Sequence, residues 1–284
     1  MLRIAVQSKG RLYDETMELL AAAGIKLVAV KRTLLVPSRN FPVELLFLRD
    51  DDIPASVATG TADVGIVGLN EVLEKKQYVN ILRPLGFSKC HLSLAIPKEV
   101  EYKGLEWFNG KKIATSYPNV LNEFLDKNSI DADIHEISGS VEVAPGIGLS
   151  DAIFDIVSSG STLVSNNLKE VETVIDSEAV LIGNNMYMSD EKREILDELM
   201  FRIEAVKTAE KKKYLLMNVP RERVDQVIEI LPGIKSPTIL PLADERWCSV
   251  HAVLEEKQLW GVINKLKGVG AEGILVLDIE KMVD

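Results

Sequence analysis

Apolar residues recur along this chain in two rhythms: short unbroken runs, and longer stretches with a three-to-four-residue repeat. The runs Leu2–Val6, Val43–Leu48 and Val64–Val67 are short, apolar and mostly branched, the pattern of strands buried on both faces. Between the first two, Leu12, Thr16, Leu19, Leu20 and Ala23 fall at helical spacing. They predict a helix from about Leu12 to Ala23, stopped by Gly24. Asp50-Asp51-Asp52 offers an N-cap and first-turn acids to a short helix with Pro54 near its start, and Gly68-Leu-Asn opens another. Strand and helix alternate, so this part is expected to be α/β with a largely parallel sheet.

A second α/β unit begins near His91. Leu92–Ile96, Lys112–Thr115 and Asp133–Ile137 read as strands, with a helix over 118–127 after Tyr117-Pro118. The run Ala152–Val157 is ambiguous, because Asp151 and Asp155 would also share a helix face. It is read as a strand, being short, β-branched and followed by a glycine turn. Glu178–Ile182 reads as a strand returning to the first unit, followed by a helix over 189–207. From Lys211 the pattern becomes strand (Tyr214–Val219), helix (Arg221–Leu231), strands (Pro237–Ala243, Cys248–Leu254), helix (Glu255–Lys267) and strand (Gly273–Leu277). That is a ferredoxin-like βαββαβ order. The expected division is 1–90 plus about 179–210 as lobe I, 91–178 as lobe II, and 211–284 as a third domain.

Composition narrows the function. At 284 residues, 46% apolar and 27% charged, the chain is an ordinary globular protein with room for more than one core. Its net charge of −10 disfavours nucleic acid or an anionic membrane as a partner. The cysteines, Cys90 and Cys248, lie far apart without metal-ligand spacing, and three histidines give a zinc site little to draw on. The chain opens directly on a strand without a leader-like segment, and no apolar run approaches the roughly 18 residues of a membrane span. A cytoplasmic protein is expected.

The densest chemistry lies between Gly139 and Leu163. An apolar run bearing Asp151 and Asp155 empties into Ser158-Ser159-Gly160-Ser161-Thr162. A hydroxyl- and glycine-rich loop can surround a phosphate dianion with N–H and O–H groups, although such a run can also be an ordinary turn. Carboxylates at the strand can accept from vicinal ribose hydroxyls, or hold Mg²⁺ directly or through water. Together they suit a phosphorylated sugar. Glu142 either serves the same ribose end or caps a local helix. Lys9, Arg11 and Arg49 follow strands, where open α/β sheets place ligands, and can face a polyphosphate.

These residues resemble a known family. Gly139-Ser-Val-Glu-Val-Ala-Pro with Asp151-Ala-Ile-x-Asp155-x-Val-x-Ser-Gly160-x-Thr-Leu163 is similar to ATP phosphoribosyltransferase, the first enzyme of histidine biosynthesis. Lys9-Gly-Arg-Leu12, Phe47-Leu-Arg-x-x-Asp-Ile53, Gly60-x-x-Asp63-x-Gly-Ile-x-Gly68, Ile113-Ala-Thr-x-Tyr-Pro-Asn119, Asp176-Ser-Glu-Ala-Val-Leu-Ile182 and Ser236-Pro-Thr-Ile-x-Pro-Leu242 follow the family in order. Each motif is weak alone; in sequence along nearly the whole chain they are specific. The C-terminal unit resembles that of the family's long form.

The resemblance implies a catalytic portion of two lobes like type II periplasmic binding proteins, plus the C-terminal ferredoxin-like domain. It implies the condensation of ATP with 5-phosphoribosyl 1-diphosphate, with Mg²⁺, giving N1-(5-phosphoribosyl)-ATP and diphosphate. On this basis Asp151 and Asp155 are the expected catalytic and metal-facing acids. Glu142, Ser158, Ser159, Gly160, Ser161, Thr162 and Leu163 are expected at the phosphoribosyl diphosphate. Lys9, Arg11, Arg49 and Asp63 are expected at ATP, Asp63 either accepting from the adenine amine or capping a loop. Inhibition by L-histidine is expected at the third domain, where Asn218, Ser236, Thr238 and Leu240 fit the family's contacting positions; a role in assembly alone is the alternative there. Homodimers forming homohexamers are also implied. Without the resemblance, a different phosphoribosyltransferase or a non-catalytic small-molecule binding protein would remain open.

Overall fold

A computed structural model describes residues 1–28, 33–184, 188–231 and 236–283. The chain divides into two compact units, Met1–Glu18 with Lys26–Ile195, and Leu19–Ile25 with Leu196–Asp284. Among the described residues no helix is long and apolar enough to cross a membrane.

The first unit holds two sheets. Its opening elements are β1 (Leu2–Gln7), α1 (Arg11–Ala22), β2 (Leu35–Pro37), β3 (Val43–Leu48), α2 (Ile53–Ala58), β4 (Val64–Gly68), α3 (Leu69–Lys75) and β5 (Val79–Pro84). The chain then builds the second sheet from β6 (Cys90–Pro97), β7 (Lys112–Thr115), α4 (Pro118–Asn128), β8 (Asp133–Glu136), β9 (Ala152–Val157), α5 (Ser161–Ser165) and β10 (Leu168–Ser177). It returns to the first sheet as β11 (Ala179–Asn184). The strand orders are β2-β3-β1-β4-β11-β5 and β10-β6-β9-β7-β8.

Two segments cross between the sheets and are tied to each other: Leu85 N–H donates to the Ala179 carbonyl and Ala179 N–H to that of Phe87, both at 2.9 Å or less. A double crossover between mixed-sheet lobes is the two-lobed architecture expected. The sheets are not largely parallel, however. β1 pairs in parallel with β3 and β4, whereas β2, β11 and β5 all join antiparallel. A strand returning from the other lobe has no crossover helix forcing it parallel. Strands β2, β5 and β10 had no counterpart in the sequence reading. The last alternates Leu168, Lys169, Glu170 and Glu172 along a half-exposed edge beside β6.

Central strands are apolar throughout because helices cover them. Ile53 and Val57 of α2 pack so tightly on β4 that a Cβ on Gly65 would stand 2.7 Å from Ile53 Cγ2. The expected acid N-cap of α2 is absent: Asp52 makes no capping bond and is instead held by Arg49 Nε at 3.2 Å. In the second sheet, Phe108, Leu121 and Phe154 lie in one buried cluster, and Val141, Ile153, Val157 and Leu163 in another.

The second unit's sheet comprises β12 (Lys212–Pro220), β13 (Thr238–Pro241), β14 (Trp247–Glu255) and β15 (Glu272–Asp278), with helices α7 (Val224–Ile230) and α8 (Leu259–Gly268). Helix α6 (Asp190–Glu210) precedes them in the chain. The order β13-β14-β12-β15, antiparallel throughout, is the ferredoxin-like arrangement. Leu215, Met217, Val219, Val250 and Leu254 turn inward among residues of α7 and α8.

Candidate active site

β1, β3 and β4 end side by side, and the chain leaves β1 toward β3 before crossing back to β4 on the other side. Such a reversal of strand order opens a crevice at the strand ends. A cavity of about 240 Å³ lies there, lined by Gln7, Arg11, Asp50, Asn70 and Glu71 from the first lobe and by Cys90, Ile156 and Ser158 toward the second.

Arg11 opens α1. Its Nε meets Glu15 Oε1 at 3.1 Å, and its Nη1 donates to Ser158 Oγ at 2.8 Å. Ser158 begins the loop that follows β9, so the guanidinium spans from the first lobe to the second. Glu15 also accepts a short hydrogen bond from Ser88, in the first crossover.

Within the loop, Gly160 has φ of +72°, which only glycine adopts without strain, and open space lies where its Cβ would stand. Ser159 and Ser161 hydroxyls are 3.0 Å apart, and Ser161 and Thr162 are exposed at the start of α5. Leu163 differs from its neighbours: its side chain is buried in the core, leaving only its backbone to face a ligand.

Asp155 is half-buried on β9, accepts from Ile156 N–H at 2.8 Å, and its pKa is pushed up to about 6 by desolvation, with the Glu142 charge adding to it. Glu142 sits on a single 3-10 turn, Val141–Val143, close enough for that repulsion to register. The two acids are thus neighbours, and the strand that carries Asp155 leads straight into the loop.

The structure does not bring Asp151 to them. It precedes β9 at the strand's opposite end, where its Oδ2 accepts from Lys112 N–H at 2.9 Å and Lys111 Nζ lies 3.9 Å from Oδ1. Asp63 is likewise at the far end of β4. Its carboxylate takes the Arg3 backbone N–H and the Lys192 ammonium, each at 2.8 Å, which is the loop-capping alternative. Arg49 is exposed and paired with Asp51 and Asp52, so its side chain is not among those lining the cavity; Lys9 is exposed in the loop between β1 and α1.

Sequence reasoning missed a buried polar cluster at the cavity wall. Glu71 Oε1 accepts from Tyr117 Oη at 3.0 Å and from Asn70 Nδ2 at 3.3 Å. Asn70 exchanges hydrogen bonds with Ser177 of the second crossover: its N–H donates to Ser177 Oγ at 3.1 Å, and that hydroxyl donates to Asn70 Oδ1 at 2.8 Å. Desolvation pushes the Glu71 carboxyl up to about 7. Nearby, Glu74 reaches from α3 to the first turn of α4, accepting from Asn119 N–H at 3.1 Å and Val120 N–H at 3.0 Å. The only sequence signal was the position of Asn70 and Glu71 just past a buried strand.

In the second unit, register sets Asn218, Ser249 and Leu240 in one cross-strand row and Thr238 beside His251 in the next. Ser249 Oγ lies 2.9 Å from His251 Nε2, Tyr214 Oη 2.7 Å from its Nδ1, and Ser236 is exposed ahead of β13. No group of three or more His, Cys, Asp or Glu suited to a metal occurs among the described residues.

Known proteins resemble this chain over its whole length. The family model for ATP phosphoribosyltransferase matches residues 49–205, and that for the HisG C-terminal domain matches 209–281. An ATP phosphoribosyltransferase of Bacteroides thetaiotaomicron is 68% identical over 283 residues, covering 100% of both chains. Among solved structures, an ATP phosphoribosyl transferase (HisG:HisZ) complex from Thermotoga maritima aligns with TM-score 0.62 at 28% identity, over 72% of this chain and 99% of that one. A histidine kinase sensor domain similar to periplasmic binding proteins aligns with TM-score 0.50 at 12% identity, over 73% of this chain and 90% of that one, a likeness of fold alone.

Proposed function

This chain belongs to the ATP phosphoribosyltransferase family, in its long form, and on that premise we propose that the cavity beside Arg11 and Ser158 is where ATP meets 5-phosphoribosyl 1-diphosphate. The family's reaction is a pentosyl transfer that opens histidine biosynthesis: N1 of the adenine bonds to C1 of the sugar and diphosphate leaves. The observation that carries the reading is the 2.8 Å hydrogen bond from Arg11 Nη1 to Ser158 Oγ, which joins an expected ATP cation to the expected sugar-phosphate loop.

On this reading the backbone N–H groups and hydroxyls of Ser158–Leu163 hold the 5-phosphate, with Leu163 contributing only its N–H. Asp155 and Glu142 accept from the ribose hydroxyls. Their negative charge also suits the positive charge that develops at C1 as diphosphate departs. Lys9 and Arg11 face the ATP phosphates, and Arg49 reaches them by exchanging Asp51 and Asp52 for phosphate. No strong base is needed to start the reaction, since adenine N1 already carries a lone pair. Orientation supplies much of the rate.

Mg²⁺ fits the oxygen-only donors Asp155 and Glu142, and when bound it neutralises charge on the leaving diphosphate. Asp151 and Asp63 have structural partners and take no part.

The third sheet binds L-histidine as a feedback inhibitor at Asn218, Thr238 and Leu240, with Ser236 just ahead of β13. Support comes from the register, which sets Asn218 and Leu240 opposite Ser249 and Thr238 opposite His251. The protein works in the cytoplasm as homodimers that form homohexamers. Mass spectrometry of a mixture with ATP, phosphoribosyl diphosphate, Mg²⁺ and pyrophosphatase tests the activity: a phosphoribosyl-ATP adduct is expected, and its absence would reject the reading.

A further inference from the structure

Glu71 is a buried carboxyl that the reaction as described does not use, and no cation pairs with it within ion-pair distance among the described residues. Burying a carboxylate is costly, and one left without a cation in a cavity wall asks for a reason. Two hydrogen bonds fix its geometry. Tyr117 Oη and Asn70 Nδ2 both engage Oε1, and Asn70 is itself locked by Ser177. Among the described residues Oε2 has no hydrogen-bond partner, and the residue lines the cavity.

Tyr117 feels the charge of two acids. Its phenol is pushed to higher pKa by burial first, then by Glu71, and also by the Asp155 charge. The Tyr117 hydroxyl thus holds Glu71 directly and lies within reach of the Asp155 charge. Glu71 lines the cavity in which, on the proposed reading, the base is joined to the sugar.

We infer that Glu71 is a catalytic residue of the transfer, its Oε2 accepting first a hydrogen bond and then a proton from the exocyclic amine of the adenine as N1 bonds to the sugar. This rests on the cavity being the place where ATP meets the phosphoribosyl donor. Bond formation at N1 leaves the purine ring cationic. Breaking one N6–H bond sends its electron pair into a C6–N6 double bond, which cancels the ring charge, while the proton forms an Oε2–H bond. Solvent takes that proton as product leaves.

The surroundings suit a group that both accepts and releases a proton near neutrality. Burial, opposed by the Tyr117 hydrogen bond and by Lys75 and aided by Asp50 and Asp51 of the 3-10 turn after β3, pushes the Glu71 carboxyl up to about 7. A base poised near the working pH is the efficient one.

The test is kcat, both KM values and the pH profile of kcat/KM for the full chain with ATP, phosphoribosyl diphosphate and Mg²⁺. Glu71→Gln should lower kcat by about 100-fold, the scale of general-base catalysis, keep KM for phosphoribosyl diphosphate within about twofold, and remove the acidic limb near neutrality. Tyr117→Phe, which keeps the ring, removes a hydrogen bond that favours the ionised carboxylate and should move that limb to higher pH. A Glu71→Gln enzyme with unchanged kcat and limb, or a Tyr117→Phe limb that stays or moves down, would overturn the proposal. If wild-type protein forms no adduct, the reading of the cavity fails instead, a result separable from either.

Discussion

Arg11 donates to Ser158 Oγ at 2.8 Å across 147 positions of sequence, and the same guanidinium holds Glu15 at 3.1 Å. Because Glu15 also takes the Ser88 hydroxyl, one chain of polar contacts runs from the crossover, through the first turn of α1, to the loop after β9. Arg11 thus has two tasks on the proposed reading, phosphate binding and orientation of the loop.

Replacing Arg11 by Met should therefore raise KM for both substrates rather than one. A charge-assisted hydrogen bond contributes on the order of 1.5–3 kcal/mol, so each KM should rise roughly 10–100-fold. Steady-state kinetics varying each substrate in turn checks this; a change confined to one substrate would separate the two tasks.

The aspartate that precedes β9 and the one within it should part company on mutation. Asp155→Asn should cut turnover more than tenfold. Asp151→Asn should leave turnover within about twofold and cost at most ~1 kcal/mol, from its exposed hydrogen bond to Lys112 N–H. Parallel activity assays and urea melts distinguish them.

Asp155 should also cost stability where it serves function. Its folded pKa of about 6 lies above the ordinary value of 3.8, so the folded state holds the extra proton between those limits. Stability linked to this group is fully present below 3.8 and is lost as pH rises through about 6. Asp155→Asn should accordingly be more stable than wild type at pH 7–8, by up to ~3 kcal/mol, and unfold at a higher temperature. The difference should close near pH 4. Thermal melts across that range give the sign directly.

Glu74 makes a structural prediction free of the chemistry. Its carboxylate, 3% exposed, satisfies Asn119 and Val120 N–H groups that begin α4. Glu74→Ala orphans both and should destabilise the protein by about 2–4 kcal/mol, read from denaturant midpoints. Glu74→Gln, which keeps one acceptor oxygen, should lose about half as much.

For the third sheet, Asn218→Leu should abolish inhibition by added L-histidine while leaving uninhibited turnover within about twofold. Inhibition that persists at wild-type concentration would place the effector elsewhere.

Most of the fold was legible because its signals are local. The β-branched run Ala152–Val157 followed by glycine is a strand, as read, and the strand–helix order after Lys211 alone specified the C-terminal sheet. Strand β10 was not, since a half-exposed edge carrying Lys169, Glu170 and Glu172 looks like a loop until β6 lies beside it.

The site was legible only in part, for a related reason. Sharing a face is not sharing a place: Asp151 and Asp155 would be about 6 Å apart on a helix, but four strand residues span about 13 Å. Reading the run as a strand already implied that one of the acids was out of reach. Asp63 was left between an adenine contact and a loop cap, because its partners, the Arg3 N–H and Lys192, are distant in sequence. Glu71 went unnoticed because what defines it, the Tyr117 hydroxyl 46 residues on in the other lobe, has no local trace.

Everything chemical depends on a ribose phosphate seated with its phosphate in the Gly160 turn and its hydroxyls against Asp155. A crystal structure of the protein with phosphoribosyl diphosphate and Mg²⁺ measures this most directly. The 5-phosphate should accept from the N–H groups of Gly160 to Leu163, with C1 directed toward the Tyr117–Glu71 wall. Density for the donor at any other place, or bound in the cavity with its phosphate away from that turn, would contradict the account.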